Sequence, residues 1–471
     1  MEKVFKKLKF ELILAILAIS YFIYFTIASF LKYDNYYTGR FDLGNMAQTV
    51  WNTIHGNVFL LTDPNGTEEI SRLAFHADFI LILLSTFYLI WEDPRMLLLI
   101  QTLILSFGGV FVYLIAKHLL SNKTISLIFA FCFYLNPAVN YINLFDFHSV
   151  TLATTFLLAS FYFILKSNFK FAVIFLILAA VTKEQVWAIT ALLGLYILLI
   201  NKQRTLGLSI FAFSLLTFYF LFWHAIPNAL GSQHFATQFF ENFGESPAEI
   251  IKNIFLHPIQ TIQTLLLPDR LAYIKQLFMP LGYLSIIGIP FLIFAAPDLV
   301  INLLSASPQM HQIYYQYSAT ITPFIFISAI FGVSFIRKRF PEVSFQTISA
   351  IILILSILSA YTYGPLPFAK KPTDDMFKKP LENKVTVDKF INSLDPNEKI
   401  SATNNLGSHL SHRKYIYTIP VGMDEADRVL FLVKDGSSQK EKETLSKLIK
   451  NPNYTLIFKD GDFYVFKNLA K

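Results

Sequence analysis

Residues 10–31, FELILAILAISYFIYFTIASFL, are apolar apart from Glu11 and a few hydroxyl groups. About 20 apolar residues are what a helix needs to cross the hydrocarbon core of a bilayer. The composition agrees, because 54% of the residues are hydrophobic, 49 are Phe and the mean hydropathy is +0.49. Further apolar runs cover residues 96–116, 125–137, 150–165, 206–223, 281–296, 318–335 and 344–361. The chain is therefore predicted to be an α-helical polytopic membrane protein.

The lysines and arginines predict the topology. Lys3, Lys6, Lys7 and Lys9 precede the first run, which lacks a signal cleavage site and so reads as a retained helix. The basic loops near residues 117–123, 166–170, 202–204 and 337–339 all face the cytoplasm, as the positive-inside rule requires, if residues 76–91 form an interfacial helix. Residues 171–200 then form two short spans meeting at Lys183-Glu184.

The same topology requires a second break, near Pro297-Asp298 within residues 281–305. About 11 transmembrane helices result, with the N-terminus in the cytoplasm and the C-terminus outside the plasma membrane. A model with 12 crossings inverts several basic loops. The long outer loops are predicted at residues 32–75 and 224–280.

Two domains are predicted, a transmembrane domain at residues 1–362 and a soluble extracytoplasmic α/β domain at residues 363–471. The second is rich in polar residues and has no run long enough to span. Its patterns predict helices at 385–394 and 439–449. Strands are predicted at 399–403, 415–419 and 428–433, with a hairpin of 454–458 and 463–466.

Several function classes are excluded. The net charge of +7 is spread between apolar runs, which argues against nucleic acid as a partner. The single cysteine, Cys132, rules out a disulfide or thiolate metal site within one chain. No Gly-rich phosphate loop, HExxH segment or nucleophile elbow occurs.

Polar residues gather on the outer side of the predicted topology. A charge at hydrocarbon depth costs about 2.5–3.5 kcal/mol on insertion scales, so Lys183 and Glu184 need water or partners. A shared outward-facing cavity would supply both. The residues predicted on this side include Asp42, His76, Asp78, Asp146, His148, Lys183 and Glu184.

Each of these residues also has a purely structural interpretation. Asp42 has the character of a helix N-cap, and Lys183-Glu184 would make an ion pair at a turn. The acids and histidines of segments 76–78 and 146–148 would start interfacial helices. Tyr315 belongs to a tyrosine-rich segment typical of an aromatic interface belt.

Four short segments together resemble a family of uncharacterised prokaryotic multi-pass membrane proteins that carries a domain-of-unknown-function label. They are Phe41-Asp42-Leu43-Gly44, His76-Ala77-Asp78-Phe79, Leu144-Phe145-Asp146-Phe147-His148 and Thr182-Lys183-Glu184-Gln185. Residues 400–404, 409–413 and 416–417 resemble the soluble tail of that family. The layout of the chain in turn resembles the GT-C glycosyltransferases, polytopic enzymes that use polyprenyl-phosphate sugars.

The resemblance implies a GT-C-like fold and a place for each segment. Such enzymes carry an acid in the first outer loop, as Asp42 would be, followed by a surface helix, as residues 76–91 would form. A later outer loop carries another acid, which Asp146 matches, and Lys183 matches a lysine near the donor phosphate. The chain departs from the mannosyltransferases, since Phe-Asp-Leu-Gly replaces their paired acids. That departure leaves acceptor type and metal dependence open.

Transfer from a polyprenyl-phosphate sugar needs a base for the acceptor hydroxyl and a cation for the departing phosphate. We assign Asp42 as the base and Lys183 as the phosphate contact in an inverting enzyme. The acceptor is unknown. An apolar, aromatic groove between the helices would hold the polyprenyl chain, and membrane lipid is the other predicted partner. Further substrate-binding candidates are Arg40 and Arg72, as substitutes for Lys183, with His76, Asp78, Glu184 and Tyr315.

Asp146 and His148 have two alternative roles. They would orient the acceptor, or they would join Asp42 in holding a divalent cation such as Mg²⁺ or Mn²⁺ through oxygen and imidazole ligands.

Two other functions compete with the glycosyltransferase. A transporter or lipid flippase would also place Lys183 and Glu184 within the membrane, although transporters usually show internal repeats and none is detected here. A non-catalytic envelope assembly protein would use the tail to bind a partner.

Overall fold

The computed structural model describes residues 2–232, 235–434 and 436–471, and it describes no side chains for residues 2–7 and 235. The predicted inner cluster of Lys3, Lys6 and Lys7 lies outside these described side chains. Helices dominate the chain up to Tyr363. In chain order they are α1 (Glu2–Asp34), α2 (Asn45–Ile54), α3 (Ile80–Tyr88), α4 (Arg95–Leu120), α5 (Lys123–Leu135), α6 (Pro137–Leu144), α7 (Ser149–Leu165), α8 (Phe169–Ala180), α9 (Val186–Leu199), α10 (Arg204–Phe220), α11 (Ile226–Leu230), α12 (Pro247–Leu256), α13 (Pro258–Leu265), α14 (Pro268–Phe278), α15 (Leu284–Ile287), α16 (Ala296–Leu304), α17 (Thr322–Arg339) and α18 (Phe345–Tyr363).

Helix α1 shows how the apolar sequence is used. One face packs inward through Tyr21 and Phe25, which are four residues apart and buried. The opposite face leaves large aliphatic side chains about half exposed, which is tolerable only in contact with lipid. These are Leu12, Ile16, Ile19, Ile23 and Ile27.

Among the described residues, four helices are long and apolar enough to cross a membrane: Leu8–Asp34, Arg95–Leu120, Arg204–Leu230 and Phe345–Tyr363. A fifth span is formed if Lys123–Leu135 and Pro137–Leu144, which meet at 44°, count as one. Shorter apolar helices, α7, α8 and α9, pack among them. A multi-helix membrane fold is thus confirmed, while the count of about 11 crossings stays a prediction.

The run 171–200 breaks where predicted. Helix α8 ends at Ala180 and α9 begins at Val186, so that Lys183 and Glu184 lie in the connecting turn. This turn is one of the segments that builds the site.

The run 281–305 breaks where predicted and also earlier. A 3-10 helix at Ile289–Phe294 ends just before α16, which begins at Ala296, so that Pro297 lies in the first turn of α16, where its missing N–H is not needed. The additional irregularity lies in the first half, between α15 and the 3-10 helix. Gly288 lies at this point in close contact with α17, because a Cβ there would lie 2.0 Å from the carbonyl oxygen of Ser328.

The predicted surface helix 76–91 is shorter than expected, since α3 begins only at Ile80. The preceding residues bind the turn between α8 and α9 instead. Ala77 N donates to Glu184 Oε2 at 3.1 Å, and Ile80 N donates to the Val181 carbonyl at 2.9 Å. His76 and Asp78 are therefore held in a loop facing that turn.

The C-terminal domain is a small α/β unit, and its elements agree with the predicted ones. Strands β1 (Leu60–Thr62) and β2 (Glu69–Ser71) form a separate hairpin in the first long loop. The elements of the domain are α19 (Asp375–Lys378), α20 (Lys384–Asn392), β3 (Ile400–Ala402), β4 (Ile416–Thr418), β5 (Arg428–Leu432), α21 (Gln439–Ile449), β6 (Tyr454–Asp460) and β7 (Phe463–Asn468). The domain sheet has the order β4-β3-β5-β7-β6, with β3 parallel to β4 and β5, and β7 antiparallel to β5 and β6.

This domain is docked on the end of α1 and on α2. The His409 ring lies between the rings of Tyr33 and Tyr36, with centroids 3.9 Å from each, and Nε2 donates to the Tyr33 carbonyl at 2.9 Å. Gln48 Nε2 donates to the carbonyls of Arg413 and Lys414 at 2.9 and 3.0 Å. The domain thus contacts the segment between α1 and α2, which carries Asp42.

Candidate active site

Asp42 lies in a single π-helical turn, Arg40–Gly44, that leads directly into α2. The N-cap of α2 is Gly44, and no side chain caps that helix. The N-cap interpretation of Asp42 is therefore wrong. Its side chain remains 31% exposed.

Asp42 pairs with His148. The Nε2 atom of His148 lies 3.1 Å from Asp42 Oδ1. Two contacts hold His148 in position. Its backbone N–H donates to Gln101 Oε1 at 3.0 Å, and its ring stacks on that of Phe145 with the ring centroids 5.2 Å apart. Burial raises the pKa of Asp42, but His148, with the charges of Lys32 and Arg72, outweighs burial and leaves that pKa below its ordinary value. Asp42 is therefore ionised at neutral pH.

Asp146 has a different setting from the one predicted. Its Oδ1 accepts from Lys32 Nζ at 2.7 Å and its Oδ2 accepts from Gly39 N at 3.1 Å. Lys32 also donates to the carbonyls of Leu144 and Phe145. Burial raises the pKa of Asp146, and the nearby Asp42 carboxylate adds to that effect while Lys32 opposes it. Asp146 thus anchors the segment before Asp42 to the end of α1.

Arg72 and Asp78 form a buried pair. Arg72 Nε lies 3.0 Å from Asp78 Oδ1, and Nη2 lies 2.9 Å from Oδ2, with both side chains at most 4% exposed. Ser149 Oγ donates to Asp78 Oδ2 at 3.4 Å. The pair brings the loop between α2 and α3 against the start of α7.

Glu184 forms a hydrogen bond with His76 and not with its neighbour Lys183. Its Oε1 lies 2.9 Å from His76 Nδ1, and its Oε2 accepts from Ala77 N. Burial and the Lys183 charge lower the pKa of His76 below its ordinary value, although Glu184 opposes this. Lys183 makes no ion pair with any other residue in the part of the chain that the structure describes.

Most of these residues, though not Asp146 and Glu184, line a cavity of about 530 Å³, here called the main cavity. A deeper aromatic cavity of about 160 Å³ shares Lys183, His76, Val150 and Gln316 with it. The apolar lining of the aromatic cavity comes from Phe218, Phe222, Phe239, Ile301 and Met310. The polar lining of the main cavity comes from Asp42, Asn45, Asn65, Arg72, His76, Asp78, His148, Ser149, Thr182, Lys183, Ser232, Gln238 and Gln316.

A third space, the interdomain cavity, lies between α1 and the C-terminal domain and has a volume of about 400 Å³. Asp42 is the residue common to its lining and that of the main cavity. Its other lining residues are Lys32, Tyr36, Tyr37, Thr38, Gly39, Phe145, Asp146, Asn404, Asn405, Lys434, Gly436, Ser437, Ser438 and Glu441.

Two predicted site residues do not line these cavities. Arg40 is 1% exposed and turns inward, bonding Asn45 Oδ1, Gln48 Oε1 and the Thr62 carbonyl. Burial lowers its pKa to about 9. Tyr315 packs edge-on against Phe145 at 5.0 Å, and the cavity is lined by Gln316 instead. Arg40 thus supports the loop fold and Tyr315 supports Phe145.

A metal ion shared by Asp42, Asp146 and His148 does not fit this geometry. Asp42 and His148 bond each other directly, while Asp146 faces the Lys32 ammonium. No group of three or more His, Cys, Asp or Glu side chains suited to a metal ion occurs among the described residues.

Sequence patterns missed Lys32 and the contact that Asn404 makes. A lysine at the C-terminal end of α1, on the side predicted to be outside, runs against the positive-inside rule, and that was the available signal. Asn404 stands in the tail segment 400–404 that carries the family resemblance, but nothing in that pattern relates it to a segment 364 positions away.

A family model described as "Predicted membrane protein (DUF2079)" matches residues 32–463. This confirms the resemblance carried by the four polar segments. A search among curated proteins finds no similar sequence.

A solved structure with a similar fold is that of ArnT from Cupriavidus metallidurans bound to undecaprenyl phosphate. The TM-score is 0.58 at 9% identity, over 98% of this chain and 99% of ArnT. This likeness shows an ArnT-like fold for the chain, which agrees with the fold that the resemblance to the GT-C glycosyltransferases implied.

Proposed function

The chain belongs to the DUF2079 family of membrane proteins, and we propose that it is an inverting glycosyltransferase using a polyprenyl-phosphate-linked sugar. The observation that carries the proposal is the position of Asp42 at the junction of the main and interdomain cavities. A carboxylate placed there can take a proton from an acceptor in one cavity while the donor occupies the other.

The main cavity suits the donor phosphate. Lys183 lines it without an ion-pair partner among the described residues, and Arg72 keeps Nη1 in addition to the two nitrogens that bind Asp78. Cations aimed at the departing phosphate stabilise the negative charge that develops there. We therefore assign Lys183 as the main phosphate contact, with Arg72 as the second, while Arg40 has no part in binding.

The aromatic cavity suits the first prenyl units. It begins at Lys183 and reaches Phe218 of α10 and Phe222 of the turn that follows, in the apolar stretch Arg204–Leu230, which is mostly exposed at the protein surface. An apolar path leading from a phosphate contact to lipid is what a polyprenyl phosphate requires. The ArnT structure, which contains undecaprenyl phosphate, supports the same lipid class.

The reaction then proceeds by a single displacement. Asp42 takes the proton of an acceptor hydroxyl through the oxygen that His148 does not bind, and the hydroxyl oxygen forms a bond to the anomeric carbon. The bond from that carbon to the phosphate oxygen breaks, and the electron pair leaves with the polyprenyl phosphate. Attack from the face opposite the phosphate inverts the anomeric centre. His148 holds the Asp42 carboxylate in place, and Asp146 holds Lys32 and Gly39.

We place the reaction on the outer side of the plasma membrane. The basic loops favour a cytoplasmic N-terminus and an extracytoplasmic C-terminal domain, and that domain borders the interdomain cavity. The acceptor therefore approaches from the cell envelope.

The transport alternative is less well supported. It rested on Lys183 and Glu184 within the membrane, yet Glu184 is held by His76 and the Ala77 amide in a turn that lines the cavities. The non-catalytic assembly alternative gives no role to an ionised, partly exposed Asp42.

The test uses purified protein in lipid nanodiscs with a panel of undecaprenyl-phosphate sugars and an envelope lipid and glycan extract as acceptor. Release of undecaprenyl phosphate is measured for the wild type and for Asp42→Asn. We expect turnover to fall by about 10²- to 10⁴-fold, which is the usual contribution of a general base. Undecaprenyl phosphate binding should be retained.

Asp375→Asn is the matched control, because Asp375 is an exposed carboxylate in the C-terminal domain whose ion pair among the described residues is with Lys379. Its turnover should equal that of the wild type. Failure of the wild type to bind or consume any donor, or full turnover by Asp42→Asn, would overturn the proposal.

A further inference from the structure

The turn that carries Asp42 has no cap of its own. Residue Gly39 occupies the N-cap position and offers no side chain, so the first N–H groups of the Arg40–Gly44 turn lack a local partner. Asn404 of the C-terminal domain supplies one. Its Oδ1 accepts from Arg40 N at 2.8 Å and from Phe41 N at 3.3 Å. Two N–H donors facing one amide identify that atom as the oxygen.

Three glycines make this approach sterically feasible. A Cβ on Gly39 would lie 2.7 Å from Asn404 Nδ2, and a Cβ on Gly407 would lie 2.2 Å from Arg40 Cβ. A Cβ on Gly44 would lie 3.0 Å from the Gly407 carbonyl oxygen. The turn and the 3-10 helix Asn404–Leu406 are therefore in direct backbone contact, without room for side chains between them.

Asn404 is itself fixed within the C-terminal domain. Thr403 Oγ1 donates to Asn405 Oδ1 at 2.7 Å and accepts from Leu432 N at 3.1 Å. Asn405 Nδ2 donates to the Leu432 carbonyl at 2.9 Å. The segment is thereby tied to the end of β5, which lies in the middle of the sheet.

We propose that Asn404 is a positioning residue that caps the Asp42 turn from the C-terminal domain, so that this domain is a working part of the active site. The capping role stands on geometry alone, while its effect on turnover rests on the proposed function. Asn404 also lines the interdomain cavity beside Asp42, where an acceptor would enter.

The capping role is tested by thiol labelling of the full-length protein in nanodiscs. Leu43→Cys places a reporter inside the turn and next to Asp42; because Leu43 is fully buried, this thiol reacts only when the turn opens, and the native Cys132 is fully buried as well. Adding Asn404→Ala should speed maleimide labelling by about 2- to 30-fold. This range is the shift in a helix-opening equilibrium expected on losing a capping Asn. Asn397→Ala is the matched control, because the exposed Asn397 bonds only Asp395.

Asn404→Asp separates capping from bulk or stability effects. A carboxylate still accepts from both N–H groups, so labelling should remain at the rate of the protein that has the reporter cysteine and native Asn404. The added negative charge beside Asp42 should move the acid limb of the turnover profile to higher pH, because a like charge raises the pKa of its neighbour. In the protein without the reporter cysteine, Asn404→Ala should lower kcat more than it changes KM for the donor.

Unchanged labelling in Asn404→Ala would overturn the proposal, as would labelling in Asn404→Asp that is as fast as in Asn404→Ala. The labelling measurement needs no activity. Faster labelling in Asn404→Ala together with a wild type that turns over no donor would therefore overturn the glycosyltransferase and leave the cap standing.

Discussion

Lys183→Met provides a sharp test of the donor site. Lys183 lines the main and aromatic cavities and makes no direct ion pair with another described residue, so its removal breaks no bond of that kind within the protein. The measured loss should therefore equal the lost phosphate contact. Hydrogen bonds to charged groups contribute about 1.5–3 kcal/mol, which corresponds to a rise of about 10- to 150-fold in the Kd of undecaprenyl phosphate.

The assay compares two ligands in the same nanodiscs, undecaprenyl phosphate and undecaprenol. The variant should weaken binding of the phosphate only, because undecaprenol has no charge for Lys183 to contact. Lys183→Arg should restore most of the affinity. Lys170→Met is the matched control, since Lys170 is an exposed lysine at the opposite end of α8.

Equal affinity of the wild type and Lys183→Met for undecaprenyl phosphate would refute the reasoning. A parallel loss of affinity for undecaprenol would refute it as well, because that result would mean damage to the aromatic cavity rather than loss of a charge contact.

Two further predictions concern stability. Asp78→Asn leaves the buried Arg72 charge unpaired and should lower the free energy of unfolding by about 3–5 kcal/mol, whereas the exposed Asp375→Asn should change the midpoint of a denaturant titration little. Because the pKa of Asp42 is lower in the folded than in the unfolded protein, its ionisation stabilises the fold at pH values above the pKa of the unfolded carboxyl. This contribution is lost as the pH falls through the lower pKa of the folded state. The Tm advantage of the wild type over Asp42→Asn at pH 7 should therefore narrow only below pH 3.8, the ordinary value for Asp; a gap that closes between pH 6 and pH 5 would contradict this.

Much of the fold was predictable from the sequence, because the length of an apolar run and the alternation of polar and apolar residues specify helices and strands locally. The break between α8 and α9 follows from a Lys and a Glu that cannot lie in hydrocarbon. The strands and both main helices of the C-terminal domain follow from their periodicity. The break near residue 288 was not predictable, since it lies at the close approach of Gly288 to Ser328, a contact between distant parts of the chain.

The site was predictable as a set of residues but not as an arrangement. The sequence named Asp42, His148 and Lys183, which the structure brings to one cavity. It also named Arg40, which turns inward, and Asp146, which bonds Lys32 in the lining of the interdomain cavity. Side-chain direction depends on neighbours that are remote in sequence, so no local pattern separates these two groups.

The sequence by itself determined that this protein is a membrane protein with several apolar helices and a small C-terminal α/β unit, because transfer free energies depend on composition and run length. Only the tertiary structure decided what surrounds Asp42. Its partner His148 lies 106 residues away, and the cap of its turn, Asn404, is contributed by the other domain. Hydrogen bonds of this kind depend on the packing of whole elements, which fixes distances that no stretch of sequence encodes.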